Sequence, residues 1–551
     1  MSVPMTTPSH QKDDTEATMT ESFSGDTIVR SPIRAETTDS MYSDDDSLPE
    51  DLNVIPPKHP FRTLILCFDG TGDQFDLDNS NIVTFFSMLK KDDRAQQMVY
   101  YQAGIGTYTS PQTATPLMAK FSKTLDEAVA WNLHAHVMGG YEFLMQNYVA
   151  GDRICIFGFS RGAYTARSLA GMIHKVGVLP ACNHQQVPFA YKMYTSTDEL
   201  GWKQSNAFKK TFSIDVDIEF IGVWDTVNSV GLIPKRLPFT TSNTAVKTFR
   251  HAVSLDERRA KFKANHWNRP TKSEDELGVK CTKKHNHDHD EHDGKGKGHQ
   301  KHKRHGQLAM ERRYGKDRDQ ETDIEEVWFA GCHCDVGGGS VSNDTTTNLA
   351  RIPLRWMVRE CFKTNTGIMF NREGLEAIGL DPDALYPFVK PRPPAEPLGG
   401  ARIQSIPRNP RTPVQSPKKR KDSYTLLVDS PAAPSVKNIP TEAIVPVKRI
   451  YSEEQLDLQD AMAPIYDQLS LKWFWWILEF LPLKHKFQHG DNSWGSIFGW
   501  NLGRGRFIPK QKKIGVRVHR SVKTRMESQD EHGRKYVPKA NLNLECVTWV
   551  D

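Results

Sequence analysis

The stretch GFSRGAYTA, Gly158 to Ala166, holds a serine between two glycines. A serine hydroxyl is a weak nucleophile. It attacks a carbonyl only when it is exposed, has a base within reach, has an acid to orient that base, and has N–H donors for the oxyanion that forms. G-x-S-x-G arises by chance about once in six chains of this length, so the surroundings of Ser160 must decide its meaning. RICIFGF before it reads as a buried strand, and RGAYTARSLAGMIHKVG after it as a helix. A strand that turns straight into a helix strains the residue at the joint. Small neighbours such as Gly158, Gly162 and Ala163 relieve the crowding. The first oxyanion donor is then the backbone N–H of Arg161, at the helix N-terminus.

The other parts are read from their places in the chain. The second oxyanion donor should follow an early strand, and FDGTGD (Phe68 to Asp73) offers Gly70 and Thr71. An ordinary glycine turn is the alternative there. Asp225 closes the apolar run DIEFIGVW and is the expected acid, although an Asp in such a place also caps turns. The chain has 20 histidines, seven of them in one charged tract, so the residue type alone says little. His333 differs: it follows EVWFAG and opens CHCDVGGG, whose glycines permit close approach to other loops. His251 in FRHAVSLDERR and His519 in VRVHRSV are expected to be structural. Cys332 and Cys334 flank His333, but no second Cys/His pair at ligand spacing accompanies them in ordered sequence. No metal or cofactor is expected. Ser160, Asp225 and His333 stand in the chain order of α/β-hydrolase triads, each where a predicted strand ends. Asp69 opens a different possibility, a phosphatase-type nucleophile. That chemistry wants a second aspartate two residues on, where this chain has Thr71.

These residues need a scaffold. RTLILCFDG, MVYYQ, RICIFGF, DIEFIGVW and EVWFAG are short apolar runs ending in polar or glycine turns. A helical pattern covers about 125 to 148, between the second and third runs. Apolar runs alternating with helical stretches predict an α/β fold: an α/β-hydrolase-like, mostly parallel sheet flanked by helices.

The chain has 551 residues, 38% of them hydrophobic, below the usual share for a globule. Between Met1 and Asp51 stand 12 acidic and three basic residues, so 1–58 reads as a disordered acidic tail. The catalytic domain is expected over 59–390, interrupted at 270–323 by a disordered insertion. Its seven-histidine tract, KKHNHDHDEHDGKGKGHQKHKRHG, has no fixed ligand geometry. A Pro-, Ser- and Lys/Arg-rich linker follows over 391–450. The last segment, 451–551, contains LKWFWWILEFLPL and is expected to pack on the catalytic domain or cap it. The net charge of +5 is small for this length and gives no case for nucleic acid. Eight cysteines form no disulfide framework, and the N-terminus lacks the pattern of a secretory signal, so a cytoplasmic location is expected. PKKRK, Pro417 to Lys421, could serve nuclear import, but such runs are common.

The motifs FDGTGD, YYQAGIGTY, GFSRGAYTARSLAGMI, GVWDTV, RHAVSLDERRAKF and WFAGCHCDVGGG resemble one family. It is that of the α/β-hydrolases related to the catalytic domain of type VI secretion phospholipase effectors. KWFWWILEFLP, RFIP and VHRSVKTRM look like that family's C-terminal segments. The resemblance covers most of 61–375 and 465–526. It places the nucleophile on Ser160, the acid on Asp225 and the base on His333. It implies hydrolysis of carboxylic esters, with phospholipid or another lipid or acyl ester as substrate. Cys332, Cys334 and the two insertions depart from the family pattern and leave substrate and regulation open.

Three readings follow: a serine ester hydrolase, a binding or regulatory protein on a hydrolase scaffold, and an Asp69-dependent phosphoesterase. For a lipid substrate, the aromatic run Leu471 to Leu483 and the stretch Arg504 to Arg525 could give peripheral membrane contact. That stretch carries nine Lys and Arg and no acid. The alternative is that the tryptophans pack as a cap. No sequence signal specifies an oligomeric state.

Overall fold

The apolar runs become strands because both of their faces are covered. In β1 (Thr63–Phe68), Leu64, Leu66 and Phe68 enter one core and Ile65 and Cys67 the other. In β3 (Arg153–Phe159), Ile154 and Ile156 enter the first core, while Cys155, Phe157 and Phe159 enter the second. Alternation with both sides buried yields a continuous hydrophobic run, the mark of a parallel sheet between helical layers. The computed structural model describes residues 53–71, 73–104, 118–227, 236–267, 310–311, 321–406, 451–488 and 494–551.

The main sheet has eight strands, completed by β2 (Gln97–Gln102), β4 (Ile218–Trp224), β5 (Val246–Ser254), β6 (Asp323–Phe329), β7 (Val516–His519) and β8 (Val547–Val550). Their order is β8-β7-β6-β5-β4-β3-β1-β2, and every pairing is parallel. The chain steps outward from β1 to β2, returns to the other side of β1 as β3, and then runs one way. The carboxyl ends of β1 and β3 thus flank the switch point, where the connecting loops diverge and leave a crevice.

Helix α1 (Asn81–Met88) joins β1 to β2, and α2 (Met118–Asn147) joins β2 to β3. Helix α3 (Ser160–Val176) starts directly at the end of β3 and packs with α2, α4 (Val187–Thr195) and α5 (Glu199–Phe212) on one face of the sheet. The other face is covered by α1 and α7 (Arg351–Lys363), with the short α6 (His333–Gly337) preceding α7.

Three strands of the main sheet were not foreseen. In β5, Arg250 and His251 interrupt the apolar pattern, yet both are buried: Arg250 pairs with Glu360 and Asp323 at 2.6 Å each. Strands β7 and β8 are four residues long, too short for a periodic signal. Several expected boundaries also move. Val54 and Ile55, inside the expected tail, pair with Phe370 and Asn371. Met310 and Glu311, inside the expected insertion, are buried; the Glu311 carboxylate accepts from Arg236 and from the Phe239 N–H. Residues 391–406, expected as linker, pack on the protein because Arg392 reaches Glu454 and Asp457. The acidic tail up to residue 52, the seven-histidine tract and PKKRK lie outside the described residues. Among the described residues no helix is long and apolar enough to cross a membrane.

The segment after the linker is joined to the sheet layer by ions. In α8 (Glu453–Ala461), Asp457 and Asp460 accept from the buried Arg355 of α7 at 2.7 and 2.6 Å, and Glu453 pairs with Arg359. Removing one partner of such a group leaves an uncompensated buried charge. Arg355→Met is therefore expected to destabilise the fold by about 3–5 kcal/mol. A thermal melt within a degree or two of wild type would show that water reaches these carboxylates.

Candidate active site

Ser160 is the first residue of α3 and has φ 58°, in the left-handed region that a side chain with a Cβ rarely adopts. Such a conformation costs about 1–3 kcal/mol and persists only where the surroundings impose it. Here glycines impose it. A Cβ on Gly158 would stand 2.6 Å from the Ala163 Cα, and one on Gly162 would stand 2.2 Å from the Asp69 carbonyl oxygen. The turn is thus wedged against the end of β1, at the switch point.

The three residues singled out by chain order meet there. Ser160 Oγ lies 2.7 Å from His333 Nε2, and His333 Nδ1 lies 2.5 Å from Asp225 Oδ2. Register explains the convergence: Phe159 pairs with Trp224, Trp224 with Ala252, and Ser254 with Phe329, so the strands end level with one another. Ser160 and Asp225 leave β3 and β4 directly. His333 comes four residues after β6 and reaches back across the end of β5. All three are buried, Ser160 included, contrary to the exposure expected of it, because the imidazole and the glycine-lined turn close over its side chain. The imidazole lies between Phe159 and Phe262, at ring-centroid distances of 4.7 and 4.9 Å.

Asp225 is fully buried, with φ 38°. Its Oδ1 accepts from the Ser254 N–H at 2.9 Å and its Oδ2 from His333. Arg506 grips both oxygens, with Nη1 2.5 Å from Oδ1 and Nη2 2.8 Å from Oδ2. Burial works against the charge of Asp225, but the guanidinium and the hydrogen bonds from His333 and Arg506 outweigh it. The carboxyl is held well below the usual range. Burial pushes the His333 imidazole below its ordinary value, and the Asp225 hydrogen bond and charge recover only part of that. With Asp225 ionised, Nδ1 carries the proton and Nε2 is left as an acceptor facing the Ser160 hydroxyl. A second carboxylate, Glu257, accepts the His333 backbone N–H at 3.3 Å and is itself paired with Arg259.

On the other side of Ser160 lies the loop after β1. Arg161 follows Ser160 in the first turn of α3, where backbone N–H groups point out of the helix end. Gly70, foreseen as a donor, gives its N–H to Asp69 Oδ1 at 2.8 Å, because the buried carboxylate folds back on its own loop. Thr71 remains of the two, and among the described residues its buried hydroxyl has no hydrogen-bond partner. Asp69 also accepts from Ser80 Oγ at 2.6 Å and Tyr101 Oη at 2.8 Å, so both of its oxygens are engaged in holding the loop.

The remaining candidates have structural partners. His251 Nε2 accepts from the Thr226 N–H at 3.0 Å, and its Nδ1 faces Glu326 at 2.8 Å. His251, His266 and Glu326 bring ligand-type atoms within 4.8 Å of one another. His251 nevertheless has no lone pair left for a metal, since Nε2 is taken by Thr226 and Nδ1 donates to Glu326. His519 caps the following helix through the Ser521 N–H. The Cys332 thiol donates to the Asp256 carbonyl at 3.4 Å. Arg506 was missed as a site residue. In sequence it is one of nine Lys and Arg between Arg504 and Arg525, and nothing local separates it from Lys510 or Arg517.

Residues 62–360, more than half the chain, match the family described as "T6SS, Phospholipase effector Tle1-like, catalytic domain". The chain belongs to this family. The Tle1-like match ends well before Arg506. The chain is also 28% identical to the uncharacterized protein YEL023C of Saccharomyces cerevisiae, over 90% of its own length and 84% of the relative's. Among solved structures, an uncharacterized protein from Pseudomonas aeruginosa aligns with TM-score 0.30 and 17% identity over 59% of this chain and 49% of that one. The Tle1 effector bound to the VgrG spike of the type 6 secretion system aligns with TM-score 0.25 and 15% identity, over 58% of this chain and 62% of that one. This chain thus spans less than two thirds of either solved chain.

The buried Asp225–His333 contact should give a far-downfield proton resonance that Asp225→Asn abolishes. His333 should stay neutral when the pH is lowered past 6.5, its ordinary value. A titration midpoint above 6.5 for His333 would contradict the electrostatics described here.

Proposed function

We propose that this Tle1-like chain is a serine ester hydrolase that cleaves phospholipid or another lipid or acyl ester through an acyl-enzyme. One observation carries the reading: a serine on a left-handed strand-to-helix joint, 2.7 Å from the acceptor nitrogen of a buried histidine. The family description supports the lipid class of substrate.

In this reading Ser160 Oγ attacks the ester carbonyl carbon while its proton passes to His333 Nε2. Asp225 holds the imidazole tautomer and stabilises the imidazolium that forms. The carbonyl π pair moves onto oxygen, where the Arg161 N–H and Thr71 face the developing charge. His333 then gives the proton to the leaving alcohol as the C–O bond breaks. Water repeats the sequence on the acyl-enzyme, and Ser160 is regenerated with release of the acid. The binding-protein reading leaves the strained serine without a purpose. The Asp69 reading requires a free carboxylate oxygen, and both of Asp69's are engaged.

The aromatic segment packs directly against the site. Trp475 packs edge-on to Phe262 at 5.5 Å, and Phe262 packs edge-on to His333. On this segment and the one after it, Trp473 and Phe498 are 74% and 73% exposed, and Phe480 and Trp500 are also exposed. Exposed Lys472 and Arg504 stand on the same two segments. Such a surface suits the interface of an anionic bilayer. The basic stretch contributes less than its sequence suggested. Arg506 and Arg525 are buried, and Arg520 pairs with Glu454 and Asp551.

Hydrolysis of phospholipid vesicles should fall about a thousandfold or more in Ser160→Ala and in His333→Ala with the fold intact. Retained hydrolysis in Ser160→Ala would sink the mechanism, and phosphatase activity lost only in Asp69→Asn would replace it. Trp473→Ala combined with Phe480→Ala should slow vesicle hydrolysis about tenfold while leaving a water-soluble ester unaffected. Equal loss on both substrates would remove the docking role.

A further inference from the structure

Arg506 lies 281 residues from Asp225 in sequence and outside the 62–360 family match, yet it closes the far end of the Ser160–His333–Asp225 chain. Beyond its two bonds to Asp225, Nη1 reaches the Ser254 carbonyl at 3.1 Å and Nη2 the Phe262 carbonyl at 2.6 Å. The segment bearing it is clamped. A Cβ on Gly505 would stand 1.8 Å from the Lys539 carbonyl oxygen, and the Asn541 N–H is donated to the Arg506 carbonyl at 3.0 Å. The guanidinium is therefore held in place from both its head and its backbone.

We propose that Arg506 is a positioning residue of the hydrolytic centre, fixing Asp225 and keeping it ionised so that His333 remains a neutral base aimed at Ser160. This rests on the hydrolase reading above. A fully buried carboxylate facing only an imidazole and N–H groups could take up a proton or drive its partner to do so. A bidentate guanidinium prevents both. Its fork matches the two carboxylate oxygens, and its charge makes Asp225 a weaker pull on a proton at His333. Other charged groups do not substitute. Glu257 and Arg259 compensate one another beneath the His333 backbone, and Lys263 donates to Asn501 rather than to Asp225.

The sign of the effect follows. Without Arg506, a proton enters the Asp225–His333 pair at higher pH, and whichever group takes it, the free base at Nε2 or its orienting charge is lost. The acid limb of the rate must then move up.

The test is the rate of fluorophosphonate labelling at Ser160 against pH, in the full chain, with melts recorded at each pH. Arg506→Gln should move the acid limb up by about one unit or more. It should also lower the plateau rate at least tenfold. Arg506→Lys keeps the charge but loses the fork, so its limb should stay within about half a unit of wild type while its plateau falls. An Arg506→Gln limb that coincides with wild type overturns the proposal, whatever the plateau does. If Arg506→Gln does not fold, Arg506→Lys decides, and a wild-type plateau there overturns it. Folded wild type that is not labelled at all would instead remove the hydrolase reading beneath it.

Discussion

The site depends on a negative charge kept where water does not reach. Asp225 has no solvent exposure, and an ion so placed is stable only if nearby groups replace its hydration. The Ser254 N–H, the His333 imidazole and the Arg506 guanidinium do this together. Each comes from a different part of the chain: the end of β5, the start of α6 and the C-terminal segment. Removing any of them leaves a buried charge with an open coordination position. For this reason the C-terminal segment is better regarded as the fourth wall of the site than as an appendage.

The second constraint is close approach. Ser160 is held at a positive φ because β1, β3 and the loops after them meet with backbone against backbone. Gly158, Gly162 and Gly70 stand where any Cβ would overlap a neighbour. The loop after β1 is tied down by Asp69, whose carboxylate gathers Gly70, Ser80 and Tyr101. That residue, read in sequence as a possible nucleophile, ties these three residues together. The same tie engages the Gly70 N–H within its own loop.

Much of this was legible in the sequence, for identifiable reasons. The central strands announce themselves because both faces are buried. The glycines around Ser160 announce the turn because nothing else fits it. Asp225 and His333 could be chosen because parallel strands place their carboxyl ends side by side. What could not be read depends on long-range pairing. Arg250 and His251 hide β5 because their partners, Glu360 and Glu326, lie far along the chain. Arg392 and Glu311 turn expected linker and insertion residues into packed ones for the same reason. Arg506 is indistinguishable from its basic neighbours until the fold sets it on Asp225. Local pattern reveals apolar burial and backbone geometry, whereas a buried ion is visible only with its partner.

The most direct test is to find which atom an acylating reagent modifies. The folded full-length chain would be treated with a fluorophosphonate at mildly alkaline pH, digested, and its modified peptide sequenced by mass spectrometry. The expected result is one stoichiometric adduct on Ser160, absent from His333→Ala. An adduct on another residue, or folded protein left unmodified, would contradict the account of Ser160 as an activated nucleophile.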